Sequence, residues 1–208
     1  TAVMVAPITQ GERIEEIASG LLDLLPRRFA LAGLSMGGIV AMEVLRRAPD
    51  RVTRIALMDT NPLAETPQVA AAREPQIVAA RSGRMLEVMR EEMKPNYLAP
   101  GPNQKPVLDL VMDMAEALGP DVFVRQSRAL QRRSDQQGTL CKIRVPTLVL
   151  CGRHDALCPV RRHEFMAELI PGADLCIVEE AGHLPTLEQP DDTTRALRRW
   201  MAKPYVLR

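Results

Sequence analysis

Apolar residues along the chain fall into two alternating kinds of run. Short blocks of strand length, at residues 2–6, 29–32, 52–58, 146–151 and 175–178, are separated by longer stretches whose apolar positions recur every three or four residues. Near-continuous apolar strands between amphipathic helices are what a sheet covered on both faces requires, so the pattern predicts an α/β fold: a mostly parallel sheet flanked by helices. The stretch 12–25 places Ile14, Ile17, Ala18, Leu21, Leu22, Leu24 and Leu25 near one helical face and stops at Pro26. The stretch 37–47 carries Arg46 and Arg47 in its last turn, where cations complement the helix dipole, before Pro49. Residues 160–170 and 190–201 supply the last two predicted helices.

From about Pro62 to Leu140 the alternation breaks. Only helical periodicities recur there, around 68–80, 85–93, 106–118 and 121–132. The expected organisation is therefore a first core segment over 1–61, a helical cap insertion over 62–140 and a second core segment over 141–208. Residues 91–106, rich in proline and asparagine, are expected to form a loop or hinge inside the insertion.

Composition narrows the function classes. With 208 residues, 46% hydrophobic and 25% charged, the chain can bury a sizeable core and fits one domain carrying a large insertion. Lysine plus arginine exceed aspartate plus glutamate by 27 − 26 = 1. That charge gives no field to favour nucleic acid or an anionic membrane as partner. No apolar run approaches the roughly 18 residues needed to span a bilayer. The expected partner is a small-molecule substrate, and the sequence sets no oligomeric state. Cys141, Cys151, Cys158 and Cys176 lack the close pairing of a zinc site, and two of them lie in apolar strand-like runs. Free thiols in a reducing, cytoplasmic setting are the expectation, with no metal and no cofactor.

Gly33-Leu34-Ser35-Met36-Gly37 spells G-x-S-x-G directly after an apolar strand and directly before a helix. A sharp strand-to-helix turn at that place strains the serine backbone, asks for small residues two positions to either side, and lifts the hydroxyl above the sheet. It also puts the Met36 amide at a helix N-terminus, where an unsatisfied N–H can stabilise an oxyanion. A serine nucleophile needs a base and a group to hold that base. Of the three histidines, His183 in Ala-Gly-His-Leu-Pro follows the last strand and emerges at the same sheet edge as Ser35. His163 falls within a predicted helix and is expected on its solvated face, and His154 is expected to be structural. Asp155, a short turn beyond the strand at 146–151, is the preferred acid; Asp59, at the end of the strand at 52–58, is the alternative.

Gly33-Leu34-Ser35-Met36-Gly37-Gly38, Gly152-Arg153-His154-Asp155 and Gly182-His183 together resemble the nucleophile elbow, acid loop and histidine loop of the α/β-hydrolase fold superfamily. The resemblance spans essentially the whole chain, and the insertion is similar to the cap of its esterase, peptidase, C–C hydrolase and haloperoxidase-like members. It implies a serine hydrolase acting on a small ester or related carbonyl through Ser35, His183 and Asp155. C–C bond hydrolysis or lysis on the same triad, or ligand binding without turnover, are the alternatives it admits. It also implies that the strand at 2–6 is the family's fourth, so that three earlier strands, a helix and a second oxyanion loop are missing from the sequence. A gap beside the strand that delivers Ser35 is then expected, and with it weakened turnover. Specificity is expected in the insertion, where Met85, Met89, Met93, Met112 and Met114 offer an adaptable apolar lining or internal packing. Arg125, Arg128, Arg132 and Arg133 are expected on a solvated helix face.

Overall fold

A computed structural model describes residues 2–93 and 97–204. Its sheet has four parallel strands in the order β1 (Phe29–Leu34), β2 (Val52–Met58), β3 (Thr147–Gly152) and β4 (Asp174–Val178). β3 is buried at every position and β2 from Ile55 to Met58, which explains the apolar runs there, while Thr53 and Arg54 of β2 are half-buried. Residues 2–6 form no strand: Val3 and Val5 are almost fully exposed, and none of the strand pairings among the described residues includes the run. The expectation of a strand there was wrong because apolar composition cannot supply a hydrogen-bonding partner. β1 is consequently an end strand among the described residues, with Ala30 and Ala32 exposed.

Helices α1 (Ile14–Leu24), α2 (Met36–Arg47) and α7 (Val160–Leu169) contribute to one core with Ile55, Leu57 and Val149. α9 (Pro190–Ala202) covers the other face, where Ala196 and Trp200 meet Ala56, Met58, Leu148 and Leu150. Between β2 and β3 lie α3 (Pro67–Ala79), α4 (Met85–Val88), α5 (Gln104–Gln131) and α6 (Gln137–Leu140), with π-helical turns before and after α4. Ile77, Ala80, Met85 and Val124 give α3, α4 and α5 a small core of their own. The two periodicities expected at 106–118 and 121–132 are continuous in α5, broken only at Gly119 (φ 77°, ψ 172°), just before Pro120. Part of the loop expected at 91–106 lies outside the described residues, and its last residues begin α5.

α2 is buried all round from Gly38 to Leu45, and this burial includes Glu43. Its carboxylate accepts from Arg46, Arg47 and the buried Gln136 amide. Burial alone would raise its pKa, but these bonds overcome that and hold it at about 2. The Arg-Arg pair at the end of α2 thus bonds a side chain of its own helix as well as the dipole.

The turn from β1 into α2 is set by backbone crowding. Ser35 sits at φ 53°, ψ −118° and its N–H donates to Met58 O, so the strained turn is tied to the next strand. A Cβ on Gly33 would lie 2.2 Å from Gly37 O, and one on Gly38 would lie 2.6 Å from Thr60 Oγ1. At Gly37 an added Cβ meets nothing within 4 Å. The small residue demanded on the helical side of the serine is therefore Gly38, against the expectation from the motif spelling.

Two outcomes test these packing arguments. Glu43→Ala should lower stability by about 2 kcal/mol at neutral pH, since it strands the buried Gln136 amide and two guanidinium groups. Because the folded pKa is depressed, Glu43 contributes fully above the unfolded value of 4.5, and the deficit should shrink as the pH falls towards about 2. Urea unfolding followed by the fluorescence of the single tryptophan, Trp200, reads both. Gly38→Ala should lower the melting temperature, as overpacking costs about 1–3 kcal/mol, while Gly37→Ala should leave it unchanged or slightly raised.

Candidate active site

Each strand delivers one functional group at its carboxyl end. Ser35 follows β1 directly and Asp59 follows β2 directly; Asp155 stands on the turn after β3 and His183 on the loop after β4. The structure brings Ser35, His183 and Asp155 into one line. His183 Nε2 lies 2.8 Å from Ser35 Oγ, and His183 Nδ1 lies 2.8 Å from Asp155 Oδ2. The other oxygen of Asp155 accepts from the Leu157 and Cys158 amides. Burial works to raise the Asp155 pKa, but the bond and charge of His183 and these two amides bring it below the ordinary value. Asp155 is thus held ionised, and it orients the imidazole so that Nδ1–H donates and Nε2 accepts from Ser35 O–H. Met36 is the first residue of α2, so its N–H has no intrahelical acceptor, and the residue lines the same cavity as Ser35.

Asp59 is fully buried, with a backbone φ of 43°. It does not reach His183. Its Oδ1 accepts from the Gly152 amide, its Oδ2 has no partner, and its carboxyl lies within hydrogen-bonding reach of Asp155. Desolvation, with Asp155 and Glu188 adding like charge, pushes its pKa up to about 9 against the opposing Gly152 bond.

His163 is fully buried, against the expectation of a solvated helix face. Its Nε2 accepts from Thr60 N, while Thr60 Oγ1 donates to Ser35 O. Burial lowers its pKa to about 4, so the neutral ring braces the chain behind the elbow. Helical periodicity misplaced it because a polar ring can lie on the inner face when a backbone amide needs an acceptor. His154 is exposed, and its amide donates to Ala181 O.

The histidine loop is organised by Glu188, which sequence reasoning missed. Its buried carboxylate accepts from Gly182 N, Leu184 N and Ala99 N, bracketing His183 and binding the loop to the segment at 97–99. His183 N donates to Tyr97 O, and the Tyr97 ring centroid lies 5.8 Å from the imidazole. A Cβ on Gly152 would lie 2.0 Å from Gly182 O, and one on Gly182 would lie 2.6 Å from Tyr97 O. The end of β3 can approach the histidine loop only because position 152 is glycine, and the histidine loop can approach the segment at 97–99 only because position 182 is.

The serine opens onto a cavity of about 330 Å³. Met85, Met89, Met93 and Met114 line it, whereas Met112 does not. Arg73 also reaches it, with its guanidinium bound to Glu65, which Arg133 bonds as well. Arg133 is therefore a buried partner and not part of a solvated face, and Arg125 donates to Thr9 O. Arg128 pairs with Glu74 and Arg132 with Glu12 on the outside. Among the described residues the one cluster of close potential metal donors is Asp155, Cys158 and His183. Two of these belong to the serine line, and burial pushes the Cys158 thiol up to about 12, away from the thiolate a metal needs. All four cysteines are free. No helix among the described residues is long and apolar enough to cross a membrane.

Comparison with known proteins identifies the family. The profile of the alpha/beta hydrolase family matches residues 7–196. The chain is 28% identical over 195 residues to a pimeloyl-[acyl-carrier protein] methyl ester esterase of Aromatoleum aromaticum, covering 88% of this chain and 78% of that protein. A thermophilic esterase from Thermogutta terrifontis superposes with a TM-score of 0.88 at 30% identity, over 96% of this chain and 75% of the other. The enol-lactonase of Burkholderia xenovorans LB400 shares the fold, with a TM-score of 0.82 at 24% identity over 93% and 75% of the two chains. With that profile running through most of its length, the chain belongs to the alpha/beta hydrolase family and is an esterase-like enzyme within it.

Proposed function

We propose that this chain hydrolyses a carboxylic ester with an apolar acyl portion through an acyl-enzyme at Ser35. The observation that carries the reading is the unbroken line from Asp155 through His183 to Ser35, with the hydroxyl at the mouth of an apolar cavity. His183 Nε2 takes the Ser35 proton as Oγ forms a bond to the substrate carbonyl carbon, and the carbonyl π pair moves onto oxygen. The Met36 N–H, at the positive end of α2, stabilises that oxyanion. On collapse the ester C–O bond breaks, and the leaving alcohol takes the proton from Nε2. Water then enters by the same route, with His183 again the base, and releases the acid. Asp155 stays ionised throughout and balances the imidazolium.

Residues 62–140 serve as the cap in this reading, with the methionines of α4 and its neighbours gripping the acyl chain. Thioether side chains are adaptable, which suits a cavity that accepts several chain lengths. The esterases among the relatives lend support, since each is named for cleaving an ester.

A fluorophosphonate probe should label the wild type and not Ser35→Ala, and labelling of the alanine variant would overturn the nucleophile. His183→Ala should cut ester turnover as far as Ser35→Ala, by about 10³-fold or more, with little change in melting temperature. In a series of p-nitrophenyl esters, kcat/KM should rise from acetate towards hexanoate. A buried methylene is worth at most about 0.8 kcal/mol, or about fourfold per carbon. A flat series would remove the acyl role of the cavity.

A further inference from the structure

Two buried carboxyl groups stand together behind the catalytic imidazole, and the line to Ser35 uses only one of them. Asp155 receives three donors: the Leu157 amide, the Cys158 amide and His183 Nδ1. Asp59 receives one, the Gly152 amide, and its Oδ2 is left without a partner in a fully buried place. Gly152 links the pair, since its N–H binds Asp59 while its carbonyl accepts from the Asp155 amide. Two carboxylates in contact cannot both keep their charge out of water, and the one with fewer donors takes the proton. An unpartnered carboxylate oxygen facing a second carboxylate is an orphan acceptor; as O–H it becomes a donor with an acceptor in front of it.

We propose that Asp59 is a positioning residue: a neutral carboxylic acid that donates a hydrogen bond from Oδ2 to the Asp155 carboxylate, fixing that carboxylate and moderating the negative charge it presents to His183. The proposal rests on the triad reading given above and extends it by one group.

The surroundings agree. The charged groups acting on Asp59 are Asp155 and Glu188, both of its own sign. Cys151 and Cys158 are neighbours whose thiols stay protonated, and His163, bound to the adjacent Thr60 amide, stays neutral at ordinary pH. Arg133, which acts on Cys158, is bonded to Glu65, and Arg162 acts from α7 on Cys158 and His163. No arginine or lysine forms an ion pair with Asp59 among the described residues. The left-handed backbone at Asp59, costly for a residue other than glycine, is retained in a turn that aims the side chain inwards.

The consequence for catalysis has a definite sign. A donor on Asp155 withdraws charge from the carboxylate that stabilises the imidazolium, so losing it makes His183 more basic. Asp59→Asn keeps a neutral donor and an acceptor for Gly152. It should leave kcat/KM for p-nitrophenyl butyrate within about threefold of the wild type and the acid limb of its pH profile in place. Asp59→Leu, similar in volume without the donor, should move that limb up by about one pH unit. A fall in Asp59→Asn as deep as in Asp155→Asn, or a downward move of its acid limb, would mean that Asp59 is ionised and would overturn the proposal.

Thermal melting gives a readout independent of turnover and of how well Asp59→Leu folds. A group whose folded pKa is raised favours the native state fully below its unfolded value of 3.8, and that advantage drains away as the pH climbs towards the folded value. Asparagine carries no such dependence. The melting temperature of Asp59→Asn should therefore gain on the wild type by several degrees between about pH 4 and about pH 8. A difference that stays constant over that range would overturn the proposal. If the wild type itself turns over no ester and takes no fluorophosphonate, the triad reading fails, while the melting series still decides the protonation of Asp59.

Discussion

The arrangement depends on the parallel register of four strands. Parallel pairing of β1 with β2, β2 with β3 and β3 with β4 brings all four carboxyl ends to one edge, and short turns hold the functional groups there. Ser35 and Asp59 follow their strands without an intervening residue, and both have positive φ. Asp155 and His183 stand on turns whose close approach requires Gly152, and Gly182 lets the segment at 97–99 lie against the histidine loop. The catalytic line is therefore a backbone property first, and the side chains complete what the sheet and its glycines have placed.

Buried carboxyl groups do much of the remaining positioning, and each resolves the cost of burial differently. Glu43 is surrounded by guanidinium and amide donors and keeps its charge. Glu188 gathers backbone amides from the histidine loop and from the segment at 97–99, joining core to insertion. Asp155 combines two amides with the imidazole. Asp59, with a single amide, is the one for which the neutral form is favoured. In Glu43 and Asp155 the donors overcome the cost of burial, whereas the single amide at Asp59 does not.

Much of this was legible in the sequence. The apolar blocks that became β1 to β4 are bounded by glycine, proline or charge, and G-x-S-x-G between a strand and a helix has a mechanical meaning that survives without any relative to compare. The three residues singled out along the chain, Ser35, Asp155 and His183, lie within hydrogen-bonding distance in the structure, with His183 between the other two. What could not be read depended on long-range partners. Residues 2–6 have the composition of a strand but enter no strand pairing among the described residues. His163 sits on a helix face that packs inwards, with an acceptor role set by Thr60, far away in sequence. Glu188 follows His183 in a short helical turn that carries no pattern of its own, so its binding of three amides was invisible. Gly38 was overshadowed by its neighbour Gly37 because the motif counts residues, whereas the crowding comes from Thr60, just beyond the end of β2.

Placing one reactive group at the tip of each strand has a consequence for how such a rim diversifies. A side-chain change at Asp59 or Asp155, beyond the tips of β2 and β3, alters the group offered there, while the strands that carry the serine and the imidazole are β1 and β4. The rim behaves as a row of interchangeable sockets on a common frame, so new reactivity can be explored one strand at a time without rebuilding the fold.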